Sequence, residues 1–248
     1  MGIVIFIVGL CLGSFANVLI YRLPLDKSIL FPFSFCPSCG TSIKWYHNIP
    51  LLSYIFLGGR CSYCKQKISI IYPVVELFSG LLSLFLFLKT KNLWLTLILF
   101  NLCFCLLVIA VVDYKTMEVP VGITYYLIVS CFLFSFLNSL LGGTIFIRVS
   151  NSLIGGIFGL LLLFLIEFLG KKVFKKSVIG FADVKMFCGI GLTLGIYSII
   201  KILFFSSVFA TIFIVFLYIK NGKKIFGKYI PFAPFIFLGT FMYILVNL

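Results

Sequence analysis

Long apolar stretches alternate with short polar connections along almost the whole chain. A membrane-spanning helix needs about 20 apolar residues to cross a hydrocarbon core of about 30 Å. The stretches therefore predict an all-α polytopic membrane protein of about eight transmembrane helices, at about 2–21, 72–88, 93–112, 119–137, 150–170, 184–200, 202–219 and 229–247. Pro120 and the glycines at 189, 191 and 195 mark the places where a predicted helix is most easily shortened or broken.

Composition agrees with a membrane protein and excludes an ordinary soluble domain. The 248 residues are 62% hydrophobic and 10% charged, and the mean hydropathy is +1.25. These values lie far outside the range of soluble globular proteins. The first stretch has neither a basic region before it nor a small-residue cleavage site, so we expect residues 2–21 to be a retained span rather than a signal peptide.

The positive charge indicates membrane orientation rather than nucleic-acid binding. The formal net charge is +14, but the basic residues cluster between the apolar stretches instead of forming a stripe on a polar surface. Sixteen of the 20 Lys and Arg residues lie in the connections 22–71, 113–118, 171–185 and 220–228. By the positive-inside rule these connections face the cytoplasm and both chain ends lie outside. We expect a multi-pass protein of the inner or plasma membrane with no nucleic-acid partner.

One connection is long enough to fold by itself, and it contains two CxxC pairs, Cys36 with Cys39 and Cys61 with Cys64. Four cysteines at this spacing are typical of a zinc ribbon, in which four thiolates hold the ion tetrahedrally. A redox CxxC or two disulfides are the alternatives, and a reducing cytoplasm favours neither. The predicted organisation is a first helix at 1–21, a zinc-binding cytoplasmic loop at 22–71 and a core of about seven helices at 72–248.

Two aspartates adjoin apolar stretches on the side assigned to the cytoplasm, Asp113 in VVDYK and Asp183 in GFADVK. A carboxylate beside such stretches is costly to ionise and is a functional candidate by default. Two that face each other share one proton, so that one accepts a proton from water while the other donates to a carbonyl oxygen, as in aspartic peptide hydrolysis. Other interpretations remain open: Lys185 pairs with Asp183, both acids only cap helices in a zinc-dependent scaffold, or they bind the ions of a coupled transporter.

Several motifs together resemble the type IV prepilin peptidases, which belong to the GxGD class of membrane aspartic proteases. The opening segment GSFANVLIYRLP resembles the family's first motif, and the two CxxC pairs lie among segments similar to its cytoplasmic loop. The last motif, GFADVK, resembles GxGD. In order along the chain, the matching segments are 13–24, 36–39, 45–54, 59–64, 68–76 and 180–185.

The resemblance implies a membrane aspartic endopeptidase that removes the leader peptide of type IV prepilin or pseudopilin precursors at the cytoplasmic face. It also implies N-methylation of the new N-terminal amine with S-adenosylmethionine as the methyl donor, with a peptidase that lacks this second activity as the alternative. The positions that match the family's catalytic pair are Asp113 and Asp183. Those that match its cysteine tetrad are Cys36, Cys39, Cys61 and Cys64.

The chain departs from the family pattern at a few positions. Ala182 replaces the second glycine of GxGD, His47 stands where the family often has an acid, and Ile71 stands where it often has arginine. Two further acids carry expectations of their own. Glu76 either compensates a helix dipole or contacts the new amine or the methyl donor, and Glu167 serves as counter-charge to the lysines at 171–176.

Overall fold

A computed structural model of the protein describes residues 1–140, 149–175, 177, 179–221 and 229–247. These residues form helices and no strand, apart from two isolated β-bridges in the loop after the first helix. The helices are α1 Gly2–Arg22, α2 Leu52–Phe56, α3 Ile71–Thr90, α4 Leu93–Thr116, α5 Val121–Leu140, α6 Val149–Phe174, α7 Phe181–Leu194, α8 Ile196–Asn221 and α9 Ala233–Asn247. The predicted all-α fold is confirmed.

Most of the predicted spans correspond to helices of the expected length. Among the described residues, five helices are long and apolar enough to cross a membrane, namely α1, α3, α4, α6 and α8, while α5 and α9 contribute shorter apolar segments. Most of the connection 220–228, which entered the charge count, lies outside the described residues.

The predicted span at 184–200 is wrong, because Gly195 divides it between two helices. Gly195 has a φ of +80° and follows the last residue of α7, and α8 begins at Ile196. A left-handed backbone of this kind suits glycine and ends a helix. Hydropathy is continuous across the break, so only the glycine signals it. The resulting α7 has 14 residues and is about 21 Å long, shorter than a hydrocarbon core.

The boundary predicted at Asp113 is also wrong. Helix α4 continues through Asp113 to Thr116, and the chain leaves it at Met117, which has a φ of +55°. The N–H of Met117 donates to the carbonyl oxygen of Asp113 at 2.8 Å. Asp113 therefore belongs to the last turn of the helix rather than to the connection after it.

The chain divides into two compact units, an N-terminal unit, Met1–Thr96, and a C-terminal unit, Leu97–Leu248. In the N-terminal unit α1 packs on α3, and small residues allow the close approach. A Cβ added to Gly13 would lie 2.7 Å from Cα of Glu76. The amide of Asn17 joins the same helices by donating to the carbonyl oxygen of Tyr72 at 3.0 Å.

In the C-terminal unit the tightest helix contact is between α6 and α7, where glycine backbones touch. A Cβ on Gly155 would lie 2.5 Å from the carbonyl oxygen of Gly191, and one on Gly159 would lie 2.5 Å from that of Phe187. Small residues permit such contacts between membrane helices because backbone can approach backbone. Helix α7 also packs on α5, where a Cβ on Gly189 would lie 2.8 Å from the side chain of Leu127.

The close contact between α6 and α7 predicts that a glycine-to-alanine substitution changes stability at one glycine and not at another. We expect Gly155→Ala to destabilise the protein by about 1–3 kcal/mol, the usual cost of overpacking, because the new methyl group meets backbone that has no room to move. Gly122→Ala in α5 is the matched control, since nothing lies within 4 Å of its Cβ position. Thermal unfolding in detergent should show a lower midpoint for the first variant and an equal or higher one for the second. Equal midpoints would contradict this packing.

Candidate active site

Asp113 is fixed by the first residue of α9. The aspartate lies in α4 and is 9% exposed, and its Oδ2 accepts a hydrogen bond from the N–H of Ala233 at 3.1 Å. The first N–H groups of a helix have no partner within the helix, and a carboxylate there is favoured by the helix dipole. Sequence reasoning did not find this contact. Pro231 and Pro234, which bracket the start of α9, are the signal that marks it.

Asp183 is fixed within its own helix turn. It is the third residue of α7 and is 7% exposed, and its Oδ2 accepts the N–H of Gly180 at 3.3 Å. A Cβ on Gly180 would lie 3.3 Å from that same oxygen, so the glycine makes room for the carboxylate. Ala182, the departure from the GxGD pattern, lies in the regular α7 helix, which accepts a methyl group without strain.

The structure brings the two aspartates into one neighbourhood although they are remote in sequence. They approach from α4 and α7, both are buried, and they are near enough for the charge of Asp113 to act on Asp183. Each carboxyl group is held by a backbone donor through Oδ2. An ionised carboxylate has about four acceptor sites, so each group retains capacity to bind a water molecule.

Lys185 does not neutralise Asp183. No ion pair joins these two described residues; instead the ammonium of Lys185 lies 4.2 Å from the centre of the Tyr125 ring and 5.4 Å from that of Phe181. An ammonium over an aromatic face is stabilised by the ring quadrupole. The lysine therefore connects α7 with α5. The alternative interpretation, in which Lys185 pairs with Asp183, is wrong.

The four cysteines of the two CxxC pairs converge. Their sulfur atoms all lie within 4.8 Å of one another, and the Sγ atoms of Cys36 and Cys64 are 3.9 Å apart. No disulfide joins them, since all four are free thiols. The set offers four sulfur donors and is able to hold a metal ion.

The two halves of the cluster repeat one local structure. The backbone N–H of Cys36 donates to the carbonyl oxygen of Thr41, and the N–H of Cys61 donates to that of Gln66, both at 2.9 Å. The residue after each second cysteine is left-handed, with a φ of +70° at Gly40 and +59° at Lys65. Each CxxC is thus a tight turn that presents both of its sulfurs on one side.

The thiols of the cluster differ in acidity because their surroundings differ. Hydrogen bonds from the side chain and the backbone of Thr41 lower the pKa of Cys39 to about 6. At Cys64 a hydrogen bond from the Gln66 backbone lowers the pKa, but desolvation and the other three thiols outweigh it and raise the pKa to about 11. Four thiols this close repel one another when ionised, and a bound cation removes that repulsion.

Glu76 holds the loop in an unusual conformation. Its Oε2 accepts the N–H of Leu51 at 2.9 Å, and Leu51 has a φ of +61° and a ψ of −49°. The N–H of Leu52 donates to the carbonyl oxygen of Pro50 at 2.7 Å, which completes a γ-turn of the rare, strained hand. The two expectations for Glu76, dipole compensation or ligand contact, both omitted this role.

A cavity of about 390 Å³ lies in the N-terminal unit beside Glu76. Helices α1 and α3 form part of its wall, and the loop between them, which contains the four clustered cysteines, forms the rest. Nδ1 of His47, which is among the lining residues, is buried without a hydrogen-bond partner in the described structure. The volume lies within the range of small-molecule sites, about 300–1,000 Å³. The wall also includes the polar side chains of Ser14, Asn17, Asn48 and Tyr72, among others.

Comparison with known protein families finds a matching family model for each of the two units. Residues 7–90 match the family model described as the bacterial Peptidase A24 N-terminal domain, and residues 100–215 match the one described as the Type IV leader peptidase family. The protein belongs to this peptidase family. The first match contains all four clustered cysteines and Glu76, and the second contains Asp113 and Asp183.

Curated relatives in the family share one name, prepilin leader peptidase/N-methyltransferase. The protein from Vibrio cholerae is 32% identical over 94% of this chain and 92% of its own length. Those from Klebsiella pneumoniae and Aeromonas salmonicida are 34% and 30% identical, over 83% and 97% of this chain and 90% and 89% of their own lengths. No solved structure matches the chain significantly.

Proposed function

We propose that this membrane enzyme removes the leader peptide of prepilin-like precursors with Asp113 and Asp183 as its catalytic pair, and then methylates the new N-terminal amine. The observation that carries the peptidase assignment is a pair of buried aspartates, near enough for the charge of Asp113 to act on Asp183 and each fixed by a backbone N–H. Two adjacent carboxyl groups in a low-dielectric site share one proton. The ionised member takes a proton from water, and the protonated member donates to the oxygen of the scissile carbonyl.

The positions of the aspartates suit a substrate that lies in the bilayer. Asp113 is in the last turn of α4 and Asp183 is in the first turn of α7, so both lie at helix ends rather than at mid-membrane. The connections next to these ends belong to the set that holds 16 of the 20 basic residues, which supports a cytoplasmic location. A precursor whose apolar helix spans the membrane would present its leader junction at this depth.

We propose zinc as the ion of the four-cysteine cluster. A tetrahedral zinc ion with bonds of about 2.3 Å separates its sulfur ligands by about 3.8 Å, and the Cys36 and Cys64 sulfurs are 3.9 Å apart. The loop between α1 and α3 contains only two short 3-10 helices, Leu23–Leu25 and Trp45–Asn48, helix α2 and two isolated bridges as regular structure. A small segment of this kind gains much of its folding free energy from the metal.

We propose that the cavity of the N-terminal unit holds the methyl donor. S-adenosylmethionine supplies an electrophilic methyl group on a sulfonium cation when it is bound. The donor set fits such a ligand, since Glu76 offers a carboxylate, and Tyr54 and Tyr72 line the same wall. A carboxylate and aromatic rings are the groups that stabilise a cation. The Glu76 carboxylate is also placed to orient the substrate amine and accept its proton.

The assignment of Glu76 predicts that its charge matters to methyl transfer alone. Glu76→Gln keeps an oxygen to accept the Leu51 N–H but removes the charge, so we expect leader removal to continue and methylation to fall about tenfold or more, the loss of about 1.4 kcal/mol of stabilisation. Asp26→Asn is the control, since it removes an acid from the same unit and its φ of +50° suits asparagine.

Both activities are measured in one assay. Purified enzyme is incubated with a prepilin-like precursor and S-adenosylmethionine, and the products are weighed by mass spectrometry. Cleaved product with an added methyl group supports the full proposal. Cleaved product without it supports the peptidase and rejects the transferase, and intact precursor rejects both. Normal methylation by Glu76→Gln would show that this carboxylate has no part in the second reaction.

A further inference from the structure

Glu167 is a buried acid in α6 whose two oxygens have different partners. The residue is 8% exposed, and its Oε1 lies 3.3 Å from Nζ of Lys171, one turn further along the helix. Its Oε2 accepts a hydrogen bond from the backbone N–H of Ile179 at 2.6 Å. The counter-charge role expected from the sequence therefore accounts for one oxygen, and the other oxygen holds the backbone that leads into α7.

Ile179 is one residue from the backbone that fixes Asp183. The N–H of Gly180 donates to Oδ2 of Asp183 at 3.3 Å, and the carbonyl oxygen of Gly180 accepts the N–H of Asp183 at 3.0 Å. A short path thus runs from Glu167 to Asp183: one hydrogen bond joins Glu167 to Ile179, the peptide chain continues to Gly180, and a second hydrogen bond joins Gly180 to the aspartate. A charged acceptor makes the first of these bonds stronger than an amide-to-amide bond.

Glu167, where this path begins, lies on a helix that is itself held against α7. Helix α6 carries Glu167, and the same helix is packed against α7 through the backbone contacts of Gly155 with Gly191 and of Gly159 with Phe187. Glu167 therefore holds the incoming chain relative to the helix that Asp183 begins. Without it, the Ile179–Gly180 backbone has no charged anchor, and the partly buried N–H of Ile179 loses its acceptor.

We propose that Glu167 is a positioning residue of the peptidase, which orients the Asp183 carboxyl group by clamping the N–H of Ile179. The inference rests on the proposed role of Asp183. A displacement of about 1 Å at a catalytic group costs about 100-fold in rate, whereas binding of the long apolar substrate is spread over a larger surface. Loss of the clamp should accordingly lower kcat and leave KM unchanged.

Three variants separate the clamp from the ion pair. Glu167→Ala removes the clamp and the ion pair, and we expect kcat for leader removal to fall about 100-fold with KM within about twofold. Glu167→Gln keeps a neutral acceptor for Ile179 and should retain activity within about tenfold, the cost of replacing a charged acceptor. Lys171→Met breaks only the ion pair, whose ammonium group is exposed, and should behave as the native enzyme because such pairs contribute little.

Ile179→Pro tests the other partner. It removes the N–H donor and leaves Glu167 and Lys171 in place, so it should reproduce the loss seen in Glu167→Ala. It also keeps the test open if Glu167→Ala does not accumulate as folded protein. Combining Ile179→Pro with Glu167→Ala should cost no more than either change alone, because both break the same contact.

The results for these variants test the positioning role of Glu167 separately from the catalytic role of Asp183, on which it rests. Asp183→Asn is included in every assay: if that variant cleaves normally, the catalytic assignment fails. If Asp183→Asn is inactive while Glu167→Ala or Ile179→Pro keeps its native kcat, the positioning role is wrong. Equal losses in Glu167→Gln and Glu167→Ala would also overturn it, because the charge rather than the acceptor would then be what matters. A lower thermal midpoint with unchanged kcat in the folded fraction would indicate a structural role only.

Discussion

We expect Asp113→Asn and Asp183→Asn each to lower the rate of leader removal by about 10²–10⁴-fold, the contribution of one general acid or base, while the protein still inserts and folds. Asparagine retains a side-chain oxygen, which can accept the N–H of Ala233 or of Gly180 as the aspartate does. What it lacks is the ability to exchange a proton with water or with the scissile carbonyl. The loss is therefore confined to chemistry.

The control for this pair is a change of the same kind at a neighbouring acid. Glu118→Gln removes an exposed carboxylate close to the end of α4 and should leave cleavage unaltered. The rates are followed as conversion of a prepilin-like precursor in detergent or in proteoliposomes, with thermal unfolding to confirm that each variant is folded. Cleavage at the native rate by either asparagine variant would remove that residue from the catalytic pair.

We expect serine in place of any one of the four clustered cysteines to remove the proposed zinc ion and to disorder the loop. Zinc binding contributes about 10–16 kcal/mol in small zinc domains, more than a loop of this size gains from its own core. Cys36 and Cys61 also line the cavity assigned to the methyl donor. We therefore expect zinc to fall from one ion per chain to almost none, proteolysis within the loop to increase, and methyl transfer to be lost.

The chain supplies a matched control for the cysteine variants. Cys11→Ser changes an exposed thiol of α1 in the same unit and should leave zinc content, protease resistance and methyl transfer as they are. Zinc is counted by mass spectrometry of the purified enzyme. Full zinc content in Cys36→Ser or Cys64→Ser, or an intact loop without metal, would contradict a structural metal site.

Much of the fold could be predicted because membrane helices leave a strong local signal. Uninterrupted apolar stretches give the helices, and the CxxC spacing gives the cysteine cluster without knowledge of the tertiary fold. The break at Gly195 was harder to place, because hydropathy does not change across it and several nearby glycines are equally plausible sites. The glycine at 195 differs from those at 189 and 191 in its left-handed backbone, which tertiary packing decides.

The candidate site was predictable in its acids but not in their partners. Asp113 and Asp183 stand out because charge is rare in apolar surroundings. The N–H of Ala233 that holds Asp113 is a backbone group far away in sequence, and every non-proline residue carries one. Glu167 also stands out in the sequence as an acid in an apolar stretch. In the sequence the lysines at 171–176 account for it as their counter-charge, so no second contact was expected. Its second contact, with Ile179, depends on how the chain returns from α6 to α7.

The most direct test of the shared site is the cleavage rate of the Asp113→Asn/Asp183→Asn double variant, measured under single-turnover conditions beside both single variants. Two residues that act on one water as a unit have strongly non-additive effects. We predict that the double variant cleaves the precursor no more slowly than the slower single variant. Losses that multiply would show that the two acids work independently, and would contradict a catalytic pair.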